Sequence, residues 1–248
     1  MVTVRWIDVR MAEGVAKAVR AIPDGAKTGM PGIILYTDAF GVRPALVDMA
    51  KRFAVEGYAV LVPDLFYRCA DKGEFDARTA FKVPETAAQL RSMISGTSQA
   101  MTAVDTSAFI AALDEAGATG PVGTVGYCMG GGRAITAAGT YPDRIVAAAS
   151  FHGGNLASDA EDSPHRLAGA IKGRVHVGMA GVDGSFPPEQ AARLVEALHR
   201  ANVDFTLESY SGMSHGWCIA DHSVYDEAGA ERHWQRVLTF FRETLGQS

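Results

Sequence analysis

The beginning of the chain alternates between apolar and polar positions on both sides of a Glu13-Gly14 step. Residues 2–11 and 15–22 each show the period of two that is typical of a strand with one covered face. Two such segments joined by a short glycine-containing step predict an antiparallel hairpin at the edge of a sheet.

From Pro31 onward, short apolar runs alternate with longer segments that have a helical pattern. The runs have the length and composition of strands that are buried on both faces. The predicted strands cover 32–36, 58–62, 122–127, 145–151, 175–179 and 205–210, and the predicted helices cover 44–56, 99–116, 187–200 and 232–245, with one more after Cys128. This alternation predicts an α/β fold with a mostly parallel central sheet flanked by helices.

The segment from Tyr67 to Ser98 has the least regular pattern in the chain. Ligands of open α/β sheets bind at the carboxyl edge of the strands, and we expect this segment to pack over that edge. The sequence is therefore interpreted as a single domain over 1–248, with 67–98 as a possible lid.

Composition narrows the function classes. The chain has 248 residues, 48% of them hydrophobic, and a formal net charge of −5. This mild acidity argues against a nucleic-acid partner, which usually requires a clustered basic face. The start of the sequence lacks the features of a secretory signal, no apolar stretch reaches membrane-spanning length, and 3 cysteines are too few for a disulfide framework. We expect a cytoplasmic enzyme, a monomer or homodimer, that acts on a small molecule and binds neither nucleic acid nor membrane.

The strongest local motif is Gly126-Tyr127-Cys128-Met129-Gly130-Gly131-Gly132, directly after an apolar run. It follows the G-x-S-x-G pattern with cysteine in place of serine. In that pattern a sharp strand-to-helix turn holds the central residue in a strained conformation and requires small neighbours. The turn also sets the side chain at a helix N-terminus, where the dipole favours a thiolate. The motif predicts a nucleophile at Cys128. A glycine-rich turn around a buried, inert cysteine would show the same sequence pattern.

Two later strand ends supply partners for this nucleophile. The pattern over 175–183 predicts a strand that runs into a turn with Asp183 at its tip, and His215 follows the next strand in a loop of small residues. An acid followed by a histidine is the chain order that this kind of site uses after the nucleophile. We therefore interpret His215 as the base and Asp183 as the carboxylate that orients it.

The remaining histidines are expected to have other roles. Four lie in helical or polar stretches and are predicted to be solvated: His165, His199, His222 and His233. His176 alternates within a strand, which indicates a core residue with satisfied hydrogen bonds. His152 follows a strand end and is a candidate substrate contact. Aromatic candidates for the pocket, each of which could equally belong to the core, are Tyr36, Phe40, Phe66, Tyr127 and Trp217.

Together these motifs make the sequence resemble the dienelactone hydrolase (carboxymethylenebutenolidase) family of the α/β-hydrolase superfamily, over nearly the whole chain. The matching segments are 38–42, 56–65, 126–131, 181–183 and 214–216. The resemblance implies an α/β-hydrolase fold and a triad of Cys128, His215 and Asp183. It also implies an oxyanion hole formed by the amides of Met129 and Ala39, and cleavage of a small ester or lactone without a metal or an organic cofactor.

The chain departs from the family pattern at positions that matter for activation and binding. At the position of Asp38, well-known members carry a glutamate that contacts the resting thiol and helps to generate the thiolate. The shorter carboxylate of Asp38 is expected to alter this activation of the thiol. These members bind the substrate carboxylate with an arginine at the position of Ile219, and with a second one for which Arg91 is the candidate here. A pocket without these cations loses a charge-assisted grip on a carboxylate, which argues against dienelactone as the natural substrate.

Two other function classes fit parts of the same pattern. A reactive thiol can also sense or reduce peroxide, and Cys69 or Cys218 would then have to be the resolving cysteine. A catalytically silent member of the fold could act as a binding module. The hypothesis that the sequence favours is hydrolysis by Cys128 through an acyl-thioester intermediate.

Overall fold

One eight-stranded sheet organises the computed structural model, which describes residues 1–70 and 72–246. The strands are β1 (Val2–Met11), β2 (Gly14–Pro23), β3 (Gly32–Tyr36), β4 (Ala59–Pro63), β5 (Val122–Tyr127), β6 (Ile145–Phe151), β7 (Arg174–Val182) and β8 (Phe205–Ser214). The helices are α1 (Pro44–Val55), α2 (Pro84–Ser95), α3 (Gln99–Glu115), α4 (Met129–Thr140), α5 (Pro188–Arg200) and α6 (Glu227–Leu245), with a 3₁₀ helix at Pro164–Ala170.

The strand order is β1-β2-β4-β3-β5-β6-β7-β8. The pairs β1–β2 and β2–β4 are antiparallel, and every other neighbouring pair is parallel. The predicted N-terminal hairpin at the sheet edge and the mostly parallel sheet are therefore confirmed. None of the helices within the described ranges is long and apolar enough to cross a bilayer.

The central strands are apolar throughout because helices cover both faces of the sheet. In β3, Ile33 and Leu35 belong to the core cluster that includes α1 and α6, whereas Ile34 and Tyr36 belong to the cluster that includes α3 and α4. Successive side chains of a strand point to opposite faces, so a continuous apolar run fills both layers at once. A smaller cluster joins β7, α5 and the 3₁₀ helix.

The segment 67–98 contains a helix, α2, which the sequence pattern did not predict. Only Ala87, Leu90 and Met93 of this helix are buried. Because its covered stripe is this narrow, the helical period of apolar residues is weak over 84–95.

The carboxyl ends of β3, β5, β7 and β8 lie at the same edge of the sheet because these four strands are parallel. The strands β7 and β8 extend further than the sequence predicted, and Val182 pairs with Ser214 at their tips. This extension brings the next residue of each strand end, Asp183 and His215, side by side at that edge.

Candidate active site

The turn between β5 and α4 is strained at Cys128, which has φ 57° and ψ −122°. Glycine is required on both sides of it. A Cβ at Gly126 would overlap the carbonyl oxygen of Gly130, and a Cβ at Gly130 would overlap the carbonyl oxygen of Tyr36. The helix begins at the next residue, Met129, so the amides of its first turn have no partner within the helix. The chain therefore presents Cys128 at a helix N-terminus on the sheet edge.

His215 and Asp183 form a hydrogen-bonded pair beside this turn. The Nδ1 atom of His215 lies 2.7 Å from Oδ2 of Asp183. The other oxygen of Asp183 accepts hydrogen bonds from the amide of Ser185 at 2.8 Å and from its hydroxyl at 2.6 Å. With both oxygens engaged, the carboxylate fixes the orientation of the imidazole ring and leaves Nε2 of His215 to face other groups.

Local interactions stabilise the charged forms of this pair. Burial alone would lower the pKa of His215, but hydrogen bonds to Asp183 and to Cys128 outweigh it and raise the pKa to about 10. Burial would likewise raise the pKa of Asp183, and the hydrogen bonds from His215 and Ser185 hold it below its usual range. The arrangement favours an ionised carboxylate next to a protonated imidazole.

His152 supports the turn from behind. It is buried, has φ 39°, and accepts a hydrogen bond at Nδ1 from the amide of Cys128 at 3.1 Å. Its ring lies edge-on to His215, with 4.8 Å between centroids, and also contacts Trp217. Burial, followed by the neighbouring histidines, lowers the pKa of His152 well below its ordinary value. A neutral ring that accepts from a main-chain amide supports the elbow without lining the cleft.

A cleft of about 330 Å³ opens beside Cys128. Of the residues that the sequence singled out, it is lined by Ala39, Phe40, Cys128, Asp183 and His215. The structure does not bring the other candidates into this cleft. His152 and Trp217 are buried beneath it, Ile219 is fully buried, and Arg91 is exposed on α2.

The carboxylate of Asp38 is fully buried and engaged by several donors at once. Nη1 of Arg43 donates to Oδ1 at 2.7 Å and Nη2 donates to Oδ2 at 2.9 Å. The amide of Phe40 also donates to Oδ1, and Nε2 of His222 lies 2.9 Å from Oδ2. Asp221 binds the same guanidinium at 2.6 and 2.9 Å. These contacts leave the oxygens of Asp38 committed to partners other than the thiol.

This cluster ties together two loops that flank the cleft. Asp38 directly precedes Ala39 in the loop after β3, and His222 lies in the loop after β8. Burial would raise the pKa of Asp38, but hydrogen bonds from His222 and the charge of Arg43 keep it below its usual range. An ionised carboxylate therefore holds both loops.

Two histidines were predicted to be solvated and are not. The side chain of His222 is only 10% exposed and lines the cleft, and His233 is fully buried with Nε2 2.9 Å from the hydroxyl of Tyr127. Polar neighbours in sequence suggested exposure, but α6 begins at Glu227, earlier than predicted, and places His233 on its inner face. Burial lowers the pKa of His233 to about 3. His176 is buried as predicted, but its Nε2 has no hydrogen-bond partner among the described residues.

Two cations that the sequence analysis did not identify line the cleft, Arg78 and Lys82. Neither forms an ion pair with any residue in the described ranges. They lie in the irregular segment before α2, where no periodic pattern indicates which side chains face the sheet edge. The cleft therefore carries positive charge from these two residues, although the position of Ile219, an arginine in well-known members of the family, contributes none.

The sheet order and the strained turn after β5 define an α/β-hydrolase fold, and the solved structures agree. A structure from Klebsiella pneumoniae that bears the name "Putative Dienelactone Hydrolase" superposes with a TM-score of 0.86 at 23% identity, covering 98% of this chain and 99% of that one. A dienelactone hydrolase-like promiscuous phosphotriesterase from metagenomic libraries gives 0.82 at 24% identity and covers 99% of both chains.

The sequence comparisons give the family. The model of the dienelactone hydrolase family matches residues 16–245, and the chain belongs to this family. Relatives from Escherichia coli O157:H7 and Synechocystis sp. share the name "Putative carboxymethylenebutenolidase". The first is 26% identical, covering 93% of this chain and 83% of the relative, and the second is 28% identical, covering 87% of each. The protein is a hydrolase that acts on ester or lactone bonds.

Replacing Arg43 with alanine should destabilise the fold strongly because it leaves the buried Asp38 carboxylate without its main counter-charge. The expected loss in the free energy of unfolding is about 3–5 kcal/mol, measured by urea denaturation at pH 7. The matched control is Lys172→Ala, which removes a pair with Asp143 whose side chains are 67% and 84% exposed and should cost less than about 1 kcal/mol. Equal losses in the two variants would contradict the role given to the cluster.

Proposed function

We propose that this protein hydrolyses a small carboxylic ester or lactone with Cys128 as nucleophile, His215 as base and Asp183 as the orienting carboxylate. One observation carries the proposal: the strained Cys128 shares a cleft with a His215–Asp183 pair joined at 2.7 Å. A nucleophile, a base and a third group that orients the base are the parts that acyl transfer requires.

In the proposed reaction the Cys128 thiolate attacks the carbonyl carbon, and a carbon–sulfur bond forms as the carbonyl oxygen becomes an oxyanion. The amides of Ala39 and Met129 are the proposed donors to that oxyanion, each worth about 3–4 kcal/mol when well placed. Collapse expels the alkoxide, which takes a proton from His215 and leaves as the alcohol. Water then gives a proton to His215 and attacks the thioester, releasing the carboxylic acid and the thiolate.

Asp38 has a different role in this proposal from the one that the family resemblance implies. Its oxygens accept from Arg43, His222 and the amide of Phe40, so it is not available to the resting thiol. We assign it to positioning, because it directly precedes Ala39 and holds that main-chain segment against the loop after β8. The thiol would then depend on His215 alone for activation.

The cations at the cleft support a preference for substrates that carry a negative charge. Arg78 and Lys82 line the same cavity as Cys128, and an ester that also bears a carboxylate could contact them. Phe40, Phe81 and Val224 supply apolar walls to that cavity. The natural substrate proposed here is therefore a small ester or lactone with an anionic group, which reopens a carboxylate-bearing lactone as a candidate.

The thiol-redox hypothesis receives less support. Cys218, one of the two candidate resolving residues, is buried in the core, and burial raises its pKa well above the ordinary value. A thiol with a raised pKa is a poor attacking group in disulfide formation. The cytoplasmic location and the monomeric or homodimeric state stay predictions.

Replacing Cys128 with alanine should lower kcat/KM by about 10³-fold or more on p-nitrophenyl acetate, on a small lactone, on dienelactone and on a thioester. Intact-mass spectrometry of the wild-type protein with a slow ester should show one acyl group, mapped to Cys128 by peptide digestion. His199→Ala, on an exposed part of α5, serves as the control and should keep full activity. Full ester hydrolysis by the folded Cys128 variant would refute the scheme. Peroxide turnover by the wild-type protein, without ester hydrolysis, would favour the redox function.

Asp38→Asn should separate positioning from thiol activation. If Asp38 positions the Ala39 amide, kcat should fall about tenfold or more, because one oxyanion donor is worth about 10²–10³ in rate. The rate of Cys128 alkylation by iodoacetamide at pH 7 should stay within about twofold of wild type. Asp221→Asn is the matched control, because among the described residues the side-chain hydrogen bonds of this carboxylate go to Arg43 and not to the segment that carries Ala39, and it should lose less activity. A parallel fall in alkylation and in kcat would show that the carboxylate activates the thiol.

Arg78→Ala should raise KM for an anionic ester by about fivefold, because it removes a charge-assisted contact at a partly solvated site. The paired substrates are methyl hydrogen succinate and methyl pentanoate, which are similar in size and differ in charge, and KM for the neutral ester should change less than about twofold. Arg91→Ala removes an exposed arginine of α2 that does not line the cleft and should change neither value. Equal changes on the two esters would disprove the charge preference.

A further inference from the structure

A second cavity, larger than the cleft, lies on the outer side of the loop after β3. It is a groove of about 780 Å³ between strand β1, the first turns of α1 and the segment 73–78. Its apolar lining includes Trp6 of β1, Val47 of α1 and Phe75. No step of the reaction described above uses this space.

The groove adjoins the catalytic cleft. Phe40, Ala77 and Arg78 line both cavities. The Phe40 ring stands between them, edge-on to His222 at 5.4 Å and to Phe81 at 5.5 Å, with both distances taken between ring centroids. A molecule whose carbonyl lies at Cys128 would reach the groove by extending past Phe40.

Two cations of the groove are already paired with carboxylates. Arg43 is bound by both Asp38 and Asp221, and Lys51 lies 2.7 Å from Asp48 on the same helix. An incoming ionic group would have to displace these pairs. The remaining charged residues of the lining, Glu74, Asp76 and Arg78, are of both signs, so the apolar groups are the more distinctive feature of the groove.

The apolar groups of the groove, in contrast, are not covered. Trp6 is 59% exposed, and Val42, Val47 and Phe75 are each only partly buried. Exposed apolar side chains that gather in a concave site next to a reactive centre typically bind an apolar part of a ligand. The flat indole face of Trp6 is well suited to an aromatic ring.

We propose that this groove is a subsite for the extended apolar portion, preferably an aromatic ring, of the ester whose carbonyl reacts at Cys128. This inference rests on the proposed function and adds to it a preference for substrates that are longer than the cleft. Arg78, at the junction, would lie beside an anionic group, and Trp6 and Phe75 would contact the apolar end.

The test uses three neutral esters: methyl acetate, methyl 4-phenylbutanoate and 3-phenylpropyl acetate. Their hydrolysis is measured by the release of protons at constant pH. In Trp6→Ala, kcat/KM should fall about fivefold to tenfold for at least one of the two phenyl esters, and less than twofold for methyl acetate. The phenyl ester that responds identifies whether the acyl or the alcohol portion occupies the groove. Val15→Ala is the matched control, because Val15 is 53% exposed in the same hairpin and does not line the groove. Phe75→Ala should reproduce the Trp6→Ala pattern.

Equal responses of all three esters to Trp6→Ala, or no response, would overturn the proposal. So would a change in sedimentation mass with unchanged ester ratios, because the groove would then bind a second copy of the chain. If no ester is hydrolysed, the proposed function fails, but calorimetric titration with 4-phenylbutyrate still tests the groove. Binding to the Cys128→Ala protein that weakens about fivefold or more in the Cys128→Ala, Trp6→Ala double variant supports the subsite. Equal binding or none to both proteins refutes it.

Discussion

The close approach of two main-chain segments at the turn after β5 is the constraint on which the site depends. Helix α4 can start directly above the sheet because Gly126 and Gly130 have no Cβ, and their neighbours in space are main-chain carbonyls that cannot move aside. The strained φ of Cys128 costs of order 1–3 kcal/mol, which the surrounding packing must offset. A part of that support is visible in the hydrogen bond from the Cys128 amide to His152. The strain is thus held in place by the same contacts that aim the side chain at the cleft.

The buried Asp38 cluster is the second fixed element, and its energetics explain why it is rigid. A carboxylate without solvent contact is costly unless all of its lone pairs are matched, and here the guanidinium, an imidazole and an amide match them. Such a cluster has one favourable geometry, because moving Arg43 breaks its bonds to Asp221 as well. The loop that carries Ala39 is therefore held in place before any substrate arrives. Preorganised donors need no rearrangement when negative charge develops, which is the condition under which they are most effective.

The sequence predicted what depends on local periodicity and missed what depends on long-range contacts. The bounds of β3 and of β5 were predicted to the residue, because strands buried on both faces appear as uninterrupted apolar runs. Asp183 and His215 could be singled out because strand ends in a parallel sheet meet at one edge. The partners of Asp38 could not, since Asp38 and His222 are separated by 184 residues and no local pattern relates them. The cations of the cleft lie in an irregular stretch, where sequence gives no direction to a side chain.

The distribution of charge around the cleft follows from these placements. Asp38 is paired with Arg43 inside its cluster, and this pairing weakens its field at the thiol. Among the described residues that line the cleft, Arg78 and Lys82 carry charge without an ion-pair partner, whereas His215 and Asp183 pair with each other. Such a field would favour the anionic ester proposed as the substrate. The groove beyond Phe40 has charged residues of both signs and uncovered apolar side chains, so the subsite proposed there would select its ligand by shape and apolar area. Charge would thus select the substrate at the cleft, and apolar contact would select it at the groove. Because the two surfaces meet at Arg78, a ligand that fits both would carry its charge near the reacting carbonyl and its apolar part further away.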